Sequence, residues 1–284
     1  MPDNTSLQLA EMLDKVDVVF LETNDGNPRL EQAMAVMRAG KPMFIDKPVA
    51  KDLPDTLAIY AVADALGVPV FSSSSLRWSE GCQAARRGEL GDILGCDSFG
   101  PAHIDPEIGA MPPLFWYGIH GCEMLYTVMG TGCESVARTS TEDTEVCVGT
   151  WSDGRVGTFR GSRSNDGYGG TAFGSEELGE LGPYLGYEPM LADILTFFRT
   201  GVRPVASEPR VQLHNKRLCC AGVAGAGRGD DGALRLHDRS GGVQESGRGA
   251  GLDRRDAGQG QAPGAAHHRR SVVRTWLPHV SPRP

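Results

Sequence analysis

Short apolar runs alternate with stretches of helical periodicity through the first 71 residues, an order that few folds accommodate. The runs are nearly continuous, which is typical of strands covered on both faces. The stretches between them end at Gly40 and Gly67. Strand, helix, strand, helix, strand joined by short links predicts parallel strands with right-handed crossovers. The predicted elements cover residues 16–21, 30–37, 43–45, 57–66 and 68–71.

The glycine turn that opens a dinucleotide-binding fold is missing from this pattern. That turn, Gly-x-Gly-x-x-Gly after a first strand, presents helix N-terminal amides to a pyrophosphate. Here the pattern begins one helix before a later strand, and no such turn precedes it. The glycine clusters at 167–170 and 225–227 do not follow a buried strand. We therefore expect residues 1–76 to form the C-terminal half of a Rossmann-type domain, in an N-terminally truncated copy.

The pattern changes in residues 77–210. Ser152-Asp153-Gly154-Arg155 separates two alternating segments, and Asp-Gly in that position is a strong hairpin signal. Helical spacing covers residues 116–129 and 190–198. Together these features predict an α+β domain with a large, mostly antiparallel open sheet. One face of such a sheet can meet a substrate or a second subunit.

Residues 211–284 differ in composition from the rest of the chain. They contain no Phe, Tyr, Ile or Met, and Lys216 is their only lysine beside 11 arginines. Without helical or strand periodicity such a segment buries too little apolar surface to offset its ordering entropy, so we expect disorder. The abrupt loss of pattern also suggests the hypothesis that this tail is an out-of-frame translation.

Composition limits the partners and the compartment. Residues 1–210 carry 16 Lys and Arg against 30 Asp and Glu, which argues against nucleic acid as a partner. No apolar run is long enough for a membrane span, and the N-terminus lacks the features of a signal peptide. Seven cysteines without paired spacing fit reduced thiols in a cytoplasmic protein. Nothing completes a metal-ligand set around His120 and Cys122 or around Cys219 and Cys220.

Lys47 is the first candidate for a functional residue. It follows the predicted strand 43–45, and the C-terminal ends of parallel strands are where open α/β sheets bind ligands. Pro48 restricts Asp46 and Lys47 to an extended exit from the strand, which directs the ammonium group. A lysine on a surface loop is the alternative interpretation.

Residues 14–210 resemble the Gfo/Idh/MocA oxidoreductases, the family of glucose–fructose oxidoreductase and inositol dehydrogenase. The order and spacing of four segments carry the resemblance. These are residues 18–24, the Asp46-Lys47-Pro48 counterpart of the family's Glu-Lys-Pro, Gly118-Ile119-His120, and residues 190–204.

The resemblance implies a Rossmann domain followed by an α/β domain with a large open sheet. It also implies hydride transfer between NAD or NADP and a hydroxyl-bearing carbon of a sugar or cyclitol. Lys47 would contact the substrate hydroxyl and the nicotinamide ribose, and His120 would be the acid/base group. The cofactor would be bound by Thr23, Asn24, Asp46, Lys47, Pro48 and Arg77, with Arg77 also lying by the substrate entrance.

Elementary chemistry supports these roles. Oxidising an alcohol requires a proton to leave with the hydride, and an imidazole can receive it. A nearby lysine cation stabilises the developing alkoxide. His120 could instead be a helix-start residue that bonds local backbone. Glu123 is expected to be solvated or to cap a helix, and Trp78 and Trp116 are expected in a core or pocket wall.

The sequence departs from the family in three places. The aspartate that often lies four residues before the histidine is replaced by Trp116, so a partner for the imidazole is missing or comes from elsewhere. The phosphate-binding turn is absent, and the family's closing elements give way to residues 211–284. We therefore expect weak binding of NAD or NADP.

Two other functions compete with the enzyme. One is a non-catalytic binding or assembly module, or a non-functional fragment, that keeps the sheet domain and forms homo-oligomers through the sheet face. The other is a serine hydrolase using residues 72–75, which the lack of a Gly-x-Ser-x-Gly motif disfavours.

Overall fold

The fold was analysed in a computed structural model of the chain. Apart from the two-residue strand Leu234–Arg235, the segment 211–284, for which we expect disorder or a frame error, lies outside the described residues. The structure describes residues 9, 11–24, 26–104, 113–204 and 234–235.

Three parallel strands form the first sheet in the order β1-β2-β3. They are β1 (Val19–Leu21), β2 (Met43–Ile45) and β3 (Val70–Phe71). Helices α1 (Arg29–Arg38) and α2 (Leu53–Leu66) connect them. The predicted alternation of strands and helices is confirmed.

Among the boundaries that differ from the prediction, two have a clear local reason. Helix α2 begins at Leu53 rather than at residue 57, because Asp52 Oδ1 accepts a hydrogen bond from the Asp55 amide at 2.9 Å and caps the helix. Strand β3 starts after Pro69, which has no N–H to contribute to a strand ladder.

A second sheet of seven strands has the order β10-β5-β6-β7-β4-β8-β9. Strands β4 and β7 pair in parallel and all other neighbours pair antiparallel, so the prediction of a mostly antiparallel sheet is confirmed. The strands are β4 (Ile93–Pro101), β5 (Cys133–Ser140), β6 (Thr144–Trp151), β7 (Val156–Ser162), β8 (Gly169–Gly174), β9 (Leu178–Glu180) and β10 (Leu234–Arg235).

The predicted hairpin joins β6 to β7. These two strands pair antiparallel along their whole length. Gly154 has φ +86°, a left-handed conformation that favours glycine, and its amide donates to the Trp151 carbonyl at 2.9 Å. The Asp-Gly signal therefore identified the turn.

Four helices and one 3₁₀ helix complete the described fold. The single helix predicted over residues 116–129 is instead two helices separated at Tyr117. The helices are α3 (Glu80–Arg86), α4 (Pro113–Trp116), α5 (Gly118–Met129) and α6 (Glu188–Thr200), and the 3₁₀ helix is Ser75–Trp78.

Helix α5 packs against one face of the seven-stranded sheet. Its residues share a buried core with side chains of β6 and β7, among them Trp151 and Phe159. The closest approach is at Gly121, where a Cβ atom would lie 2.3 Å from Cε2 of Phe159. Glycine is therefore required at this position for the helix to lie so close to the sheet.

Helix α6 packs against apolar side chains of the parallel sheet and of the 3₁₀ helix that follows it. Ile194 and Phe197 share an apolar cluster with Phe44 of β2, Phe71 of β3 and Trp78. Trp78 Nε1 also donates to Asp193 Oδ2 at 2.7 Å. As predicted, Trp78 is a core residue.

The face of the large sheet opposite α5 carries exposed apolar side chains. They alternate with buried residues along the strands, as expected for a sheet covered on one side. We call this surface the open face, and its large apolar residues are Phe99, Val148, Val156, Phe173 and Leu178.

The described part of the chain contains no helix with the length and hydrophobicity of a transmembrane span. Five of the seven cysteines lie in this part, and all five are buried thiols outside any disulfide.

Replacing Gly121 by alanine should destabilise the protein. Overpacking a core typically costs about 1–3 kcal/mol, more than the ~1 kcal/mol of helix propensity that alanine gains over glycine. Urea unfolding should show a lower free energy of unfolding for Gly121→Ala. The loss should shrink in a Phe159→Ala background, because the clashing ring is gone. Equal losses in both backgrounds would show that the close contact does not determine the position of α5.

Candidate active site

The C-terminal edge of the parallel sheet gathers polar side chains from two strands. Glu22, Thr23 and Asn24 follow β1, and Asp46 and Lys47 follow β2. Because neighbouring parallel strands end at the same edge, these side chains converge there. Burial raises the pKa of Glu22, Asp46 raises it further, and Arg29 opposes both effects.

A buried arginine holds this edge together. The Arg29 guanidinium, 1% exposed, donates to the backbone carbonyls of Thr23, Asp46 and Pro48. Its Nε donates to Thr23 Oγ1 at 3.3 Å. Sequence reasoning missed this residue. The available signal was its charge, since a cation in the first turn of a helix opposes the helix dipole and needs another reason to be there.

Lys47 extends from this edge towards the junction of α4 and α5. Its Nζ donates to the Trp116 carbonyl at 3.4 Å. The ammonium lies 4.8 Å from the ring centroid of Trp116 and 5.1 Å from that of Tyr117, within cation–π range. Burial lowers the pKa of Lys47, Asp46 opposes that effect, and Arg29 adds to it. Trp116 is thus a wall beside the lysine, as predicted.

His120 lies on the first turn of α5. Its ring centroid is 6.1 Å from that of Tyr117 and 5.5 Å from that of Tyr168. Burial holds the pKa of His120 well below its ordinary value, and the positive charge of Lys47 lowers it further. The imidazole is therefore neutral at pH 7. Lys47 and His120 both flank Tyr117, so the structure brings the two predicted catalytic residues together.

The serine run after β3 contacts the other side of the imidazole. Ser74 Oγ lies 2.6 Å from His120 Nδ1. The same oxygen accepts a hydrogen bond from the Leu76 amide at 3.2 Å, and Ser74 is 1% exposed. The partner of the imidazole, which Trp116 cannot supply, is therefore a hydroxyl from another part of the chain.

Glu123 is fully buried, so the expectation of a solvated or capping carboxylate is wrong. Its oxygens accept hydrogen bonds from the Ser73 hydroxyl and, at 2.9 Å, from the Ser74 amide. Arg77 Nη1 lies 3.6 Å from Glu123 Oε1 and donates to Thr127 Oγ1 at 3.2 Å. Tertiary contacts with residues about 50 positions earlier in the chain account for the burial.

Arg77 lies beneath the site in this arrangement. Its side chain is 2% exposed and contacts helix α5 through Glu123 and Thr127. The sequence resemblance places this residue at the substrate entrance. In the structure it lies beside Glu123, whose carboxylate bonds Ser73 and Ser74 of the serine run.

The chemistry of the donor set fits one end of a nicotinamide cofactor. Thr23 and Asn24 supply a hydroxyl and an amide, Asp46 a carboxylate, and Lys47 a cation, which suit the ribose hydroxyls and carboxamide of a nicotinamide riboside. Within residues 9–104 and 113–204, no glycine-rich turn of the Gly-x-Gly-x-x-Gly type joins a buried strand to a helix. Across the described side chains, no three His, Cys, Asp or Glu residues form a potential metal site.

Replacing Arg29 by methionine should destabilise the edge of the parallel sheet. One buried and two partly buried carbonyls lose their donor, and an unsatisfied buried polar group costs about 1–3 kcal/mol. We expect the free energy of unfolding to fall by about 2–4 kcal/mol in chemical denaturation. Arg38→Met, at the exposed end of the same helix, is the control and should change it by less than about 0.5 kcal/mol. Equal effects of the two substitutions would contradict the role of Arg29.

Comparison with known proteins identifies solved structures with this fold. No protein-family model and no curated protein sequence matches the chain. A probable dehydrogenase from Thermotoga maritima is 19% identical, with a TM-score of 0.64 over 77% of this chain and 80% of that one. A putative myo-inositol dehydrogenase from Sinorhizobium meliloti is 16% identical, with a TM-score of 0.66 over 76% and 81%.

A levoglucosan dehydrogenase solved with NADH and levoglucosan is 17% identical, with a TM-score of 0.61 over 76% of this chain and 81% of that one. These proteins are dehydrogenases of the kind to which the sequence motifs point. At these identities the likeness concerns the three-dimensional arrangement of the chain. The protein therefore has the fold of these dehydrogenases, as its sequence predicts.

Proposed function

We propose that this protein is an NAD- or NADP-dependent oxidoreductase of the Gfo/Idh/MocA type that acts on a hydroxyl of a sugar or cyclitol. The observation that carries the proposal is that Lys47 and His120 both lie beside Tyr117, with Lys47 Nζ 5.1 Å and the His120 ring centroid 6.1 Å from the centroid of its ring. The lysine comes from the parallel sheet and the histidine from a helix packed on the other sheet. Two distant segments thus supply the cation and the base that alcohol oxidation requires.

The two side chains divide the reaction between them. As a C–H bond of the carbinol breaks and a C=O bond forms, the hydroxyl proton passes to the imidazole Nε2 of His120. The positive charge of Lys47 stabilises the negative charge that develops on the substrate oxygen. A bound NAD⁺ or NADP⁺ would accept the hydride. In the opposite direction the imidazolium returns its proton to the oxygen.

Protonation states support this division. His120 is neutral at pH 7, as a base must be before it takes a proton. Lys47 is partly buried between aromatic rings, where its charge acts through a lower dielectric than in water. Asp46 helps to keep that charge on the lysine.

The proposed cofactor site uses the C-terminal edge of the parallel sheet. Thr23, Asn24, Asp46, Lys47 and Pro48 would hold the nicotinamide riboside. Arg77 would support the site from beneath rather than touch the cofactor. Since the described residues lack the amide cradle that binds pyrophosphate, we propose that the affinity for NAD or NADP is low.

Aromatic rings around the site support a ring-shaped polyhydroxylated substrate. Trp116, Tyr117 and Tyr168 present apolar ring faces beside Lys47 and His120. Such faces pack against the C–H surfaces of sugars while neighbouring polar groups bond the hydroxyls. Proteins of similar fold include a levoglucosan dehydrogenase and a putative myo-inositol dehydrogenase.

A second candidate function is assembly through the open face. A groove of about 620 Å³ there is lined by Asp97, Phe99, Thr158 and Arg160, among others. Exposed apolar residues on a flat sheet surface favour a second copy of this chain as the partner.

The cysteines without disulfides fit a cytoplasmic location. A serine hydrolase has no comparable support, because Ser74 is buried and its oxygen already has two partners.

Substitution of the two central residues tests the enzyme. With millimolar NAD or NADP and a panel of inositols and aldoses, we expect nicotinamide reduction by the unaltered chain. Loss of a general base lowers the rate about 10²–10⁴-fold, so His120→Ala should fall in that range. Lys47→Met should lose about 10²-fold or more in kcat through the lost charge stabilisation. Lys51→Met, an exposed lysine on the same connection, is the control and should retain activity. Activity that survives both central substitutions would refute the proposal.

A cofactor titration tests the affinity separately. Following NADH fluorescence, we expect no saturation at micromolar concentrations, because few described groups can bind the phosphates. Binding with micromolar affinity would contradict this expectation and would show that another part of the chain holds the pyrophosphate.

A further inference from the structure

One ring nitrogen of His120, Nδ1, has a defined partner in the Ser74 hydroxyl, which was not among the predicted site residues. We infer that Ser74 is the positioning residue of His120 and that the buried Glu123–Arg77 pair holds Ser74 in place. The inference rests on the proposed function for its catalytic meaning. The contacts among these four side chains do not depend on that function.

The hydroxyl of Ser74 is fixed by the local backbone. Ser74 caps the 3₁₀ helix Ser75–Trp78, with Oγ accepting from the Leu76 amide at 3.2 Å. An oxygen held in this way can move little, and it lies 2.6 Å from His120 Nδ1. The imidazole is thus oriented through its Nδ1 atom, which leaves Nε2 for the substrate.

Helix α5 contacts the serine run of residues 72–75 at two points. His120 meets the Ser74 hydroxyl, and Glu123, one turn further along the same helix, accepts from the Ser73 hydroxyl and the Ser74 amide. Arg77 lies 3.6 Å from the Glu123 carboxylate and compensates its charge in a site without solvent. The distance between the imidazole and its partner is therefore set by a buried network, and not by the serine alone.

A hydroxyl gives the imidazole a kind of support that a carboxylate cannot give. The Ser74 hydroxyl oxygen can accept from Nδ1–H of the neutral tautomer, whose Nε2 is then free to take a proton, and equally from Nδ1–H of the imidazolium. It therefore supports both states of a group that gains and loses a proton, without adding charge. A carboxylate at the same place would favour the imidazolium and would raise the pKa of His120. Beside the cation Lys47, a neutral partner keeps the base ready to accept a proton.

The experiment follows His120 by NMR in the protein without ligands. Ring signals of ¹⁵N-histidine-labelled protein are assigned with a His120→Gln variant and titrated against pH. In Ser74→Asp we expect the pKa of His120 to rise by about 1 pH unit or more, since an opposite charge at this distance favours the charged ring. In Ser74→Ala the ratio of the two neutral tautomers should change, because Nδ1 has lost its partner. Ser74→Thr keeps the hydroxyl and should retain the tautomer ratio of the unaltered chain.

Ser75→Ala, at the next serine of the run, is the matched control and should leave the His120 signals unchanged. Thermal unfolding establishes that each variant is folded. If Ser74→Ala does not fold, the comparison of Ser74→Asp with Ser74→Thr decides the question. His120 signals with the same titration and tautomers in folded Ser74→Asp, Ser74→Thr and unaltered protein would overturn the inference.

Kinetics separate this inference from the proposed function. If the protein oxidises a polyol, Ser74→Ala should lower kcat with little change in KM. Ser74→Asp should move the acidic limb of the pH–rate profile to higher pH, because the pKa of the base is raised. If the NMR shifts occur as expected and no polyol is oxidised, the positioning role of Ser74 stands and the oxidoreductase assignment fails. If oxidation is found and the NMR signals do not respond, the oxidoreductase assignment stands and the positioning role of Ser74 fails.

Discussion

The buried carboxylate of Glu123 connects the two sheets of this protein. It belongs to helix α5, which packs on the seven-stranded sheet, and it accepts hydrogen bonds from Ser73 and Ser74, which follow the last strand of the parallel sheet. Burying a carboxylate costs free energy unless it is paired and hydrogen-bonded. A shift of the two sheets relative to each other would therefore leave the Glu123 charge unpaired. The relative positions of Lys47 and His120 depend on it, since each residue belongs to one of the two halves.

The candidate site brings together two basic groups, an ammonium and an imidazole, beside the ring of Tyr117. Burial lowers the pKa of His120 and the charge of Lys47 lowers it further, so the imidazole stays neutral. Asp46 favours the charged lysine, whereas the partner of the imidazole is a hydroxyl. The two neighbours thus act in different ways: the Asp46 carboxylate favours a charged partner, whereas the Ser74 hydroxyl adds no charge beside the imidazole.

Local patterns predicted the elements of the fold and the two central residues. The parallel strands follow from continuous apolar runs, and the β6–β7 hairpin follows from Asp153-Gly154. Lys47 could be predicted because a position after a buried parallel strand has a known place in the fold. His120 depended on the resemblance of a short motif to a family.

The supporting residues could not be predicted, because their partners are distant in sequence. Glu123 has no local feature that distinguishes it from a solvated glutamate, and its partners lie 49 and 50 positions earlier in the chain. Arg29 similarly bonds carbonyls 17 and 19 positions later. The serine run suggested a nucleophile, whereas the structure gives its hydroxyls a role in orienting an imidazole. Contacts of this kind become visible only when the packing of the helices on the sheets is known.

The central claim is that Lys47 and His120 belong to one site, and the titration of His120 in the Lys47→Met variant tests it most directly. The measurement needs neither substrate nor cofactor. If the two groups share a site, removal of the lysine charge should raise the pKa of His120 by about half a pH unit or more, and Lys51→Met should leave it unchanged. An unchanged His120 titration in folded Lys47→Met would show that the lysine and the histidine act apart, and the account of the site would be wrong.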